Sequence, residues 1–258
     1  MRSPFNQKQL FIMAQIGYGY GSDYQLLRFL GHHRNDLEES ITRVIGEGKF
    51  FWMDFNYANP KKVISGDQEL SGLTFLENFF PNKYSSIKAV YETYKINNRN
   101  HWQSWDAVFI HNDTLYLIEA KAHVSELCSG KKEHGDNSKD EILRYFKEQL
   151  PNLPVTRVWL GDYYQLANRL ATAALLNKQG VKTKILYIYF VNGYRKRVVE
   201  KINDTKERIF ETLNMNATKE QFEEAINKEM SALGIDKDSV SDILAPSVFV
   251  DAEPIPYK

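Results

Sequence analysis

The chain is predicted to be an α/β protein in which helices cover a mixed central sheet, and three observations carry this. Segments 108–110 and 115–118 are short apolar runs rich in strand formers, and His111-Asn112-Asp113-Thr114 between them has turn chemistry, so together they read as a hairpin. Segment 185–191 is another strand of the buried type, separated from the hairpin by a helical stretch running from Asp162 to Gly180, the pattern of a parallel crossover. Amphipathic stretches that can supply covering helices lie before and after these strands.

In order along the chain, the glycine-rich segment 17–22 does not match a dinucleotide-binding fingerprint and reads as a loop before a helix capped by Ser22. That helix starts at about Asp23, with Tyr24, Leu27 and Leu30 at helical spacing, and continues or restarts through Leu37, Ile41 and Val44 until Gly46 and Gly48 end it. Segment 49–57, rich in aromatics, is the expected first core strand, 59–62 a loop, and 68–78 and 84–95 two short helices. After the hairpin, the polar segment 129–138 reads either as a loop able to close on a site or as a disordered connection. A helix over 139–150 is stopped by Pro151 and Pro154, and the next has Asp162 as N-cap and Gly180 just past its end. Segments 198–213 and 218–233 read as amphipathic helices, followed by an apolar run at 247–250 that covers a sheet edge, makes a dimer contact or shapes substrate binding. The expected division is a core over 1–197 and a helical C-terminal elaboration over 198–258 packed on it.

Bulk properties narrow the function classes. A chain of 258 residues, 43% hydrophobic and 26% charged, suits one large domain or a core with an elaboration. The single cysteine, Cys128, excludes an internal disulfide, fits a reducing compartment, and lacks an arranged His/Asp pair to activate it. No apolar run reaches the length of a membrane span and segment 10–14 is too short for a signal sequence, so the expectation is a cytoplasmic protein with no membrane partner. Thirty-three basic residues balance 33 acidic ones, which excludes a global basic field. Any nucleic-acid contact is therefore local; 32–34 and 194–197 are candidates, although each also reads as ordinary solvated surface.

The hairpin carries the chemistry. With Asn112-Asp113 as its loop, Asp106 falls directly opposite Glu119, with Cβ atoms roughly 5 Å apart, and Lys121 shares their face. Two carboxylates so close repel unless one is protonated or a cation lies between them. Mg²⁺ takes oxygen ligands, keeps several waters, and needs only one or two carboxylates plus a substrate phosphate. The lysine would position or help deprotonate a water and offset charge on the phosphorane. The same acid-x-Lys spacing recurs at Glu47-Gly48-Lys49 and Asp204-Thr205-Lys206, but neither ends an apolar strand. The competing reading, a surface hairpin with a cross-strand salt bridge, sits poorly with charges closing an apolar run.

Asp106 followed by Glu119-Ala120-Lys121 resembles the signature of the PD-(D/E)XK nuclease superfamily, with Trp105 where that pattern has proline. Segment 161–170, with Gln165, resembles the helix after the catalytic strand in several branches, and the likeness to an uncharacterised bacterial branch extends over 106–192. The resemblance implies a restriction-endonuclease-like core of order α-β-β-β-α-β and Mg²⁺-dependent hydrolysis of phosphodiester bonds in DNA, with Mn²⁺ as a substitute. It implies that Asp106 and Glu119 bind metal, that the Ala120 carbonyl completes the shell, that Lys121 organises the water and that Gln165 supports the site. Superfamily members often supply another acid from the first helix; Asp23, Glu38 and Glu39 are candidates, Asp23 preferred. Gln165 and Arg169 either line the cleft or are solvated helix residues, and His123 lies beyond the reach of strand alternation. DNA is the expected partner and a homodimer is compatible with it; the sequence leaves RNA, strandedness and specificity open. The alternative is a catalytically inactive nucleic-acid-binding or assembly protein on the same fold.

Overall fold

A computed structural model describes residues 21–53, 70–94, 103–128, 136–193, 195–202, 208–215 and 217–252. In chain order its elements are α1 (Ser22–His32), α2 (Arg34–Ile45), β1 (Phe50–Trp52), β2 (Leu70–Ser71), α3 (Leu76–Phe79), α4 (Pro81–Glu92), β3 (Ser104–Trp105), β4 (Ala107–His111), β5 (Thr114–Lys121), α5 (Asp136–Gln149), α6 (Tyr164–Lys178), β6 (Thr183–Val191), β7 (Arg195–Ile202), β8 (Arg208–Met215), α7 (Lys219–Leu233) and β9 (Val248–Asp251). The central sheet has the order β1-β4-β5-β6-β9. Pairing is antiparallel from β1 to β5 and parallel from β5 to β9, so the sheet is mixed as expected.

The hairpin turn follows from local chemistry. Asn112 (φ 46°) and Asp113 (φ 64°) both take left-handed backbone, which these residue types tolerate and a two-residue hairpin loop requires. That turn sets a register running from His111↔Thr114 to Ala107↔Ile118. Side-chain alternation along β5 then splits the core in two. Tyr116, Ile118 and Ala120 pack with Leu26, Phe29 and Leu30 of α1 and Leu37 and Ile41 of α2. Leu115 and Leu117 join the opposite face, with residues of α5, α6 and α7. The result is three layers; each fully buried Leu or Phe contributes roughly 1.5–3 kcal/mol.

Several expectations are corrected. Segment 198–213 is not a helix: β7 and β8 pair antiparallel from Arg195↔Met215 to Ile202↔Arg208. The β-branched Val198, Val199, Ile202, Ile209 and Thr212 favour extended backbone over the helix preference of the interleaved Glu and Lys. The apolar run at the end of the chain is β9, a full member of the central sheet, so the region after residue 197 is neither purely helical nor separable from the core. Helix 218–233 is found as α7, with a Thr218/Gln221 capping box and Gly234 in left-handed backbone. Ser22 and Asp162 are not N-caps: Gly21 and Tyr163 hold those positions, and neither helix has a side-chain cap. The first of the two short helices, α3, begins later than expected, whereas α4 and α5 each begin three residues earlier, at Pro81 and Asp136. The loop expected at 59–62, most of 129–138, and the ends of the expected first strand and second short helix lie outside the described residues. No helix among the described residues is long and apolar enough to cross a membrane.

Candidate active site

Asp106 stands at a junction between two sheets. Before it, β3 pairs with β2, Leu70 opposite Trp105, and the Trp105 indole N–H donates to the Gly72 carbonyl at 3.1 Å. After it, β4 pairs with β5. The Asp106 N–H donates to Ile118 O at 3.1 Å although Ala107 is the register partner of Ile118, so two residues oppose one in a β-bulge. Asp106 is therefore not the in-register partner of Glu119, as the hairpin alone suggested. Because the chain leaves the ladder here, the Ala120 N–H finds its acceptor in a side chain: Asp106 Oδ2, at 2.6 Å. Ala120 thus meets Asp106 through its amide.

Glu119 and Lys121 point into the face covered by α6. Glu119 is 1% exposed and Lys121 6%. The Lys121 ammonium donates to Glu119 Oε2 at 3.2 Å and to Gln165 Oε1 at 3.1 Å, while Gln165 Nε2 donates to the same Glu119 oxygen at 3.0 Å. Arg169, one turn further along α6, donates Nε–H to Glu119 Oε1 at 2.5 Å. Its remaining donors reach Gln103 Oε1 and Ser104 O, both at 2.7 Å, and its guanidinium lies over the Trp105 ring. Gln165 and Arg169 are thus part of the cluster and not solvated helix residues.

The charges act on one another. Burial pushes the Asp106 carboxyl well above the ordinary range and Glu119 pushes it further; Lys121 and the Ala120 N–H oppose this, and Asp23 adds to it from α1. Asp23 itself is exposed, so its influence is that of a nearby charge on the rim. Burial would lower the Lys121 pKa, but the carboxylates of Glu119, Asp106 and Glu126 outweigh it and hold the ammonium charged. Glu38 accepts from the Trp52 indole at 2.7 Å and Glu39 pairs with Arg43, so both other candidate acids have partners on α2 and β1.

The two carboxylates differ in what they can offer a hard divalent cation. Asp106, repelled by two other acids, favours one. Glu119 offers less: three of its roughly four acceptor positions already take hydrogens from Arg169, Lys121 and Gln165. Among the described residues no group of three or more His, Cys, Asp or Glu side chains is arranged to hold a metal. By donor chemistry, Asp106 and the one remaining position on Glu119 offer the one or two carboxylates that a Mg²⁺ ion needs when water and substrate oxygen complete its shell.

Two further acids join the cluster. Glu126 accepts from the Ala122 N–H at 2.9 Å. Glu229, on α7, is 3% exposed, and burial raises its pKa to about 8, with Lys121 opposing and Glu119 reinforcing the rise. The signal for Glu229 is present in the sequence: it falls on the apolar stripe formed by Phe222, Ile226, Met230 and Leu233. His123 is a capping residue, its Nδ1 accepting from the Ser125 N–H at 3.1 Å. Cys128 is exposed. Comparison with protein-family models, with curated proteins and with solved structures gives no match for this chain.

Proposed function

We propose that the protein is a divalent-metal-dependent hydrolase of phosphodiester bonds in DNA, on a restriction-endonuclease-like core. The order α1/α2, β1, β4, β5, α6, β6 supports the α-β-β-β-α-β arrangement. The observation that carries the chemistry is the meeting of Asp106, Glu119 and Lys121 at the C-terminal end of β5, with mutual charge effects strong enough to hold the Asp106 carboxyl up and the Lys121 ammonium protonated.

Asp106 and Glu119 would hold the metal, which when bound supplies charge to polarise the phosphate and activate water. Lys121 is a fixed cation, not a base. Two of its three hydrogens go to Glu119 and Gln165, and the third is left to orient a water or neutralise a phosphoryl oxygen. Gln165 fixes both partners. Glu229, neutral at neutral pH, offers a proton near the ammonium.

The closed contact of Arg169 with Glu119 favours a second reading, a nucleic-acid-binding or assembly protein with this cluster as a structural ion network. Incubating labelled DNA and RNA panels with Mg²⁺ or Mn²⁺ separates them. Hydrolase activity is expected to disappear in chelator and in Asp106→Asn, Glu119→Gln and Lys121→Ala, with double variants scarcely worse than single ones. Full activity in any of these variants, or none in the wild type, would remove the hydrolase reading.

A further inference from the structure

The two ends of the β7–β8 ribbon are rooted at the end of the sheet that carries Lys121. Lys121 and Tyr189 are register partners, so β5 and β6 finish at the same end of the sheet. Gly193, just past β6, lies so close to the residue after Lys121 that an added Cβ would come within 3.3 Å of the Ala122 Cβ. The two feet of the ribbon are joined there, the Asn192 N–H donating to Ala217 O at 2.9 Å. Between these feet β7 and β8 form a separate two-stranded sheet, about 26 Å long at the usual rise per residue. A two-stranded ribbon by itself is marginal in water, so a ligand laid along it would add to its stability.

Its composition names the ligand. The paired strands carry Arg195, Lys196, Arg197, Lys201 and Arg208 against two acids, Glu200 and Glu211, in a chain whose overall charge is zero. The register places Arg195, Arg197 and Lys201 on one face and Lys196 and Arg208 on the other. Arg195, Lys196 and Arg197 open β7, starting two positions past Gly193, the point at which the chain adjoins Ala122. Building on the hydrolase reading of the Asp106, Glu119 and Lys121 cluster, we propose that the ribbon is a grip for double-stranded DNA: it lies along the major groove, and these three cationic residues hold the phosphates beside the bond to be cut. A two-stranded ribbon fits the groove of B-form DNA, roughly 12 Å wide, and not the deep, narrow one of A-form RNA.

Binding of the full chain to labelled duplex DNA, measured in chelator across a salt series, tests the grip without requiring cleavage. The triple variant Arg195→Ala, Lys196→Ala, Arg197→Ala is expected to lose about tenfold or more in affinity, and the slope of log affinity against log salt to fall by about 2–3. Arg195→Gln alone, a milder change should the triple variant fold poorly, should lower that slope by about one. Duplex DNA should outcompete duplex RNA, single strands and anionic vesicles. Unchanged affinity and slope in both variants, equal competition by any of those three, or no binding by the wild type overturns the proposal. Salt-dependent binding through the foot by a wild type that cleaves nothing with Mg²⁺ or Mn²⁺ would remove the hydrolase reading and leave the ribbon grip standing. Cleavage and binding unaffected by both variants would do the reverse.

Discussion

Arg169 of α6 donates to Glu119 Oε1 at 2.5 Å while its guanidinium carbon sits 4.5 Å from the centre of the Trp105 ring, so one buried cation ties the crossover helix to β5 and to β3, the strand that leads into Asp106. A carboxylate on a central strand is held in the core by an arginine, a lysine and a glutamine. Each charged member gave up its water on folding, and none can be removed without leaving another uncompensated.

Arg169→Met should therefore destabilise the fold by roughly 3–5 kcal/mol, the cost of breaking a buried ion pair on one side. Adding Glu119→Gln should restore part of that loss, because the orphaned charge disappears with it. Urea unfolding of the single and double variants measures both. A loss below about 1 kcal/mol in the single variant would mean the pair is worth no more than a surface one.

Asp106→Asn should be more stable than the wild type in chelator at neutral pH. The folded state holds the Asp106 proton to higher pH than the unfolded chain, so wild-type stability declines as pH rises from the ordinary carboxylate range through the raised value. The advantage of Asn should accordingly vanish on acidification, and Mg²⁺ should stabilise the wild type more than the variant. Asp106→Ala should gain less than Asn, by roughly 1–3 kcal/mol, since it strands the Ala120 N–H. Thermal melts at neutral and acidic pH, with and without Mg²⁺, read all three, and an Asn variant that melts below the wild type at neutral pH would count against the stored repulsion.

Glu229 sets a second pH dependence at higher pH. Its carboxyl titrates at about 8 in the fold and near the ordinary carboxylate value when unfolded, so the folded state carries the extra proton between those limits. Stability should fall as pH rises across this window, by up to roughly 1.4 kcal/mol per unit from this group, and level off above about 8. Glu229→Gln should flatten that part of the profile. An identical pH profile in the variant would place the carboxyl in water.

Asp113→Gly should stabilise the hairpin by a few tenths of a kcal/mol, because Asp113 holds a left-handed backbone that glycine adopts without strain. Asn112→Gly should not match it, since the Asn112 side chain also donates to Glu47 O at 2.8 Å. Chemical denaturation of the two variants distinguishes them.

What could be read from the sequence was what local chemistry decides. Asn112-Asp113 fixes the hairpin turn and with it the ladder from 107 to 118, so the Glu119 and Lys121 face followed directly. The displacement of Asp106 did not follow, because it depends on Trp105 pairing with Leu70 and bonding Gly72, partners far away in the chain. Gln165 and Arg169 were placed on one helix face by spacing, but only packing against β5 decides that this face is buried. In 198–213 the residue preferences conflicted, Glu and Lys suggesting helix while Val, Ile and Thr suggested strand, and cross-strand pairing resolved it.

The place of β9 bears on how the chain is made and cut. Its four residues, Val248–Asp251, seal the β6 side of the sheet, yet they leave the ribosome long after β6 itself. Until they arrive, β6 presents a bare row of amide and carbonyl groups along an apolar strand, an open invitation to pair with another nascent chain. Shortened versions ending near residue 197 would keep that edge bare permanently. They should aggregate even though every residue of the Asp106, Glu119, Lys121 and Gln165 cluster is retained.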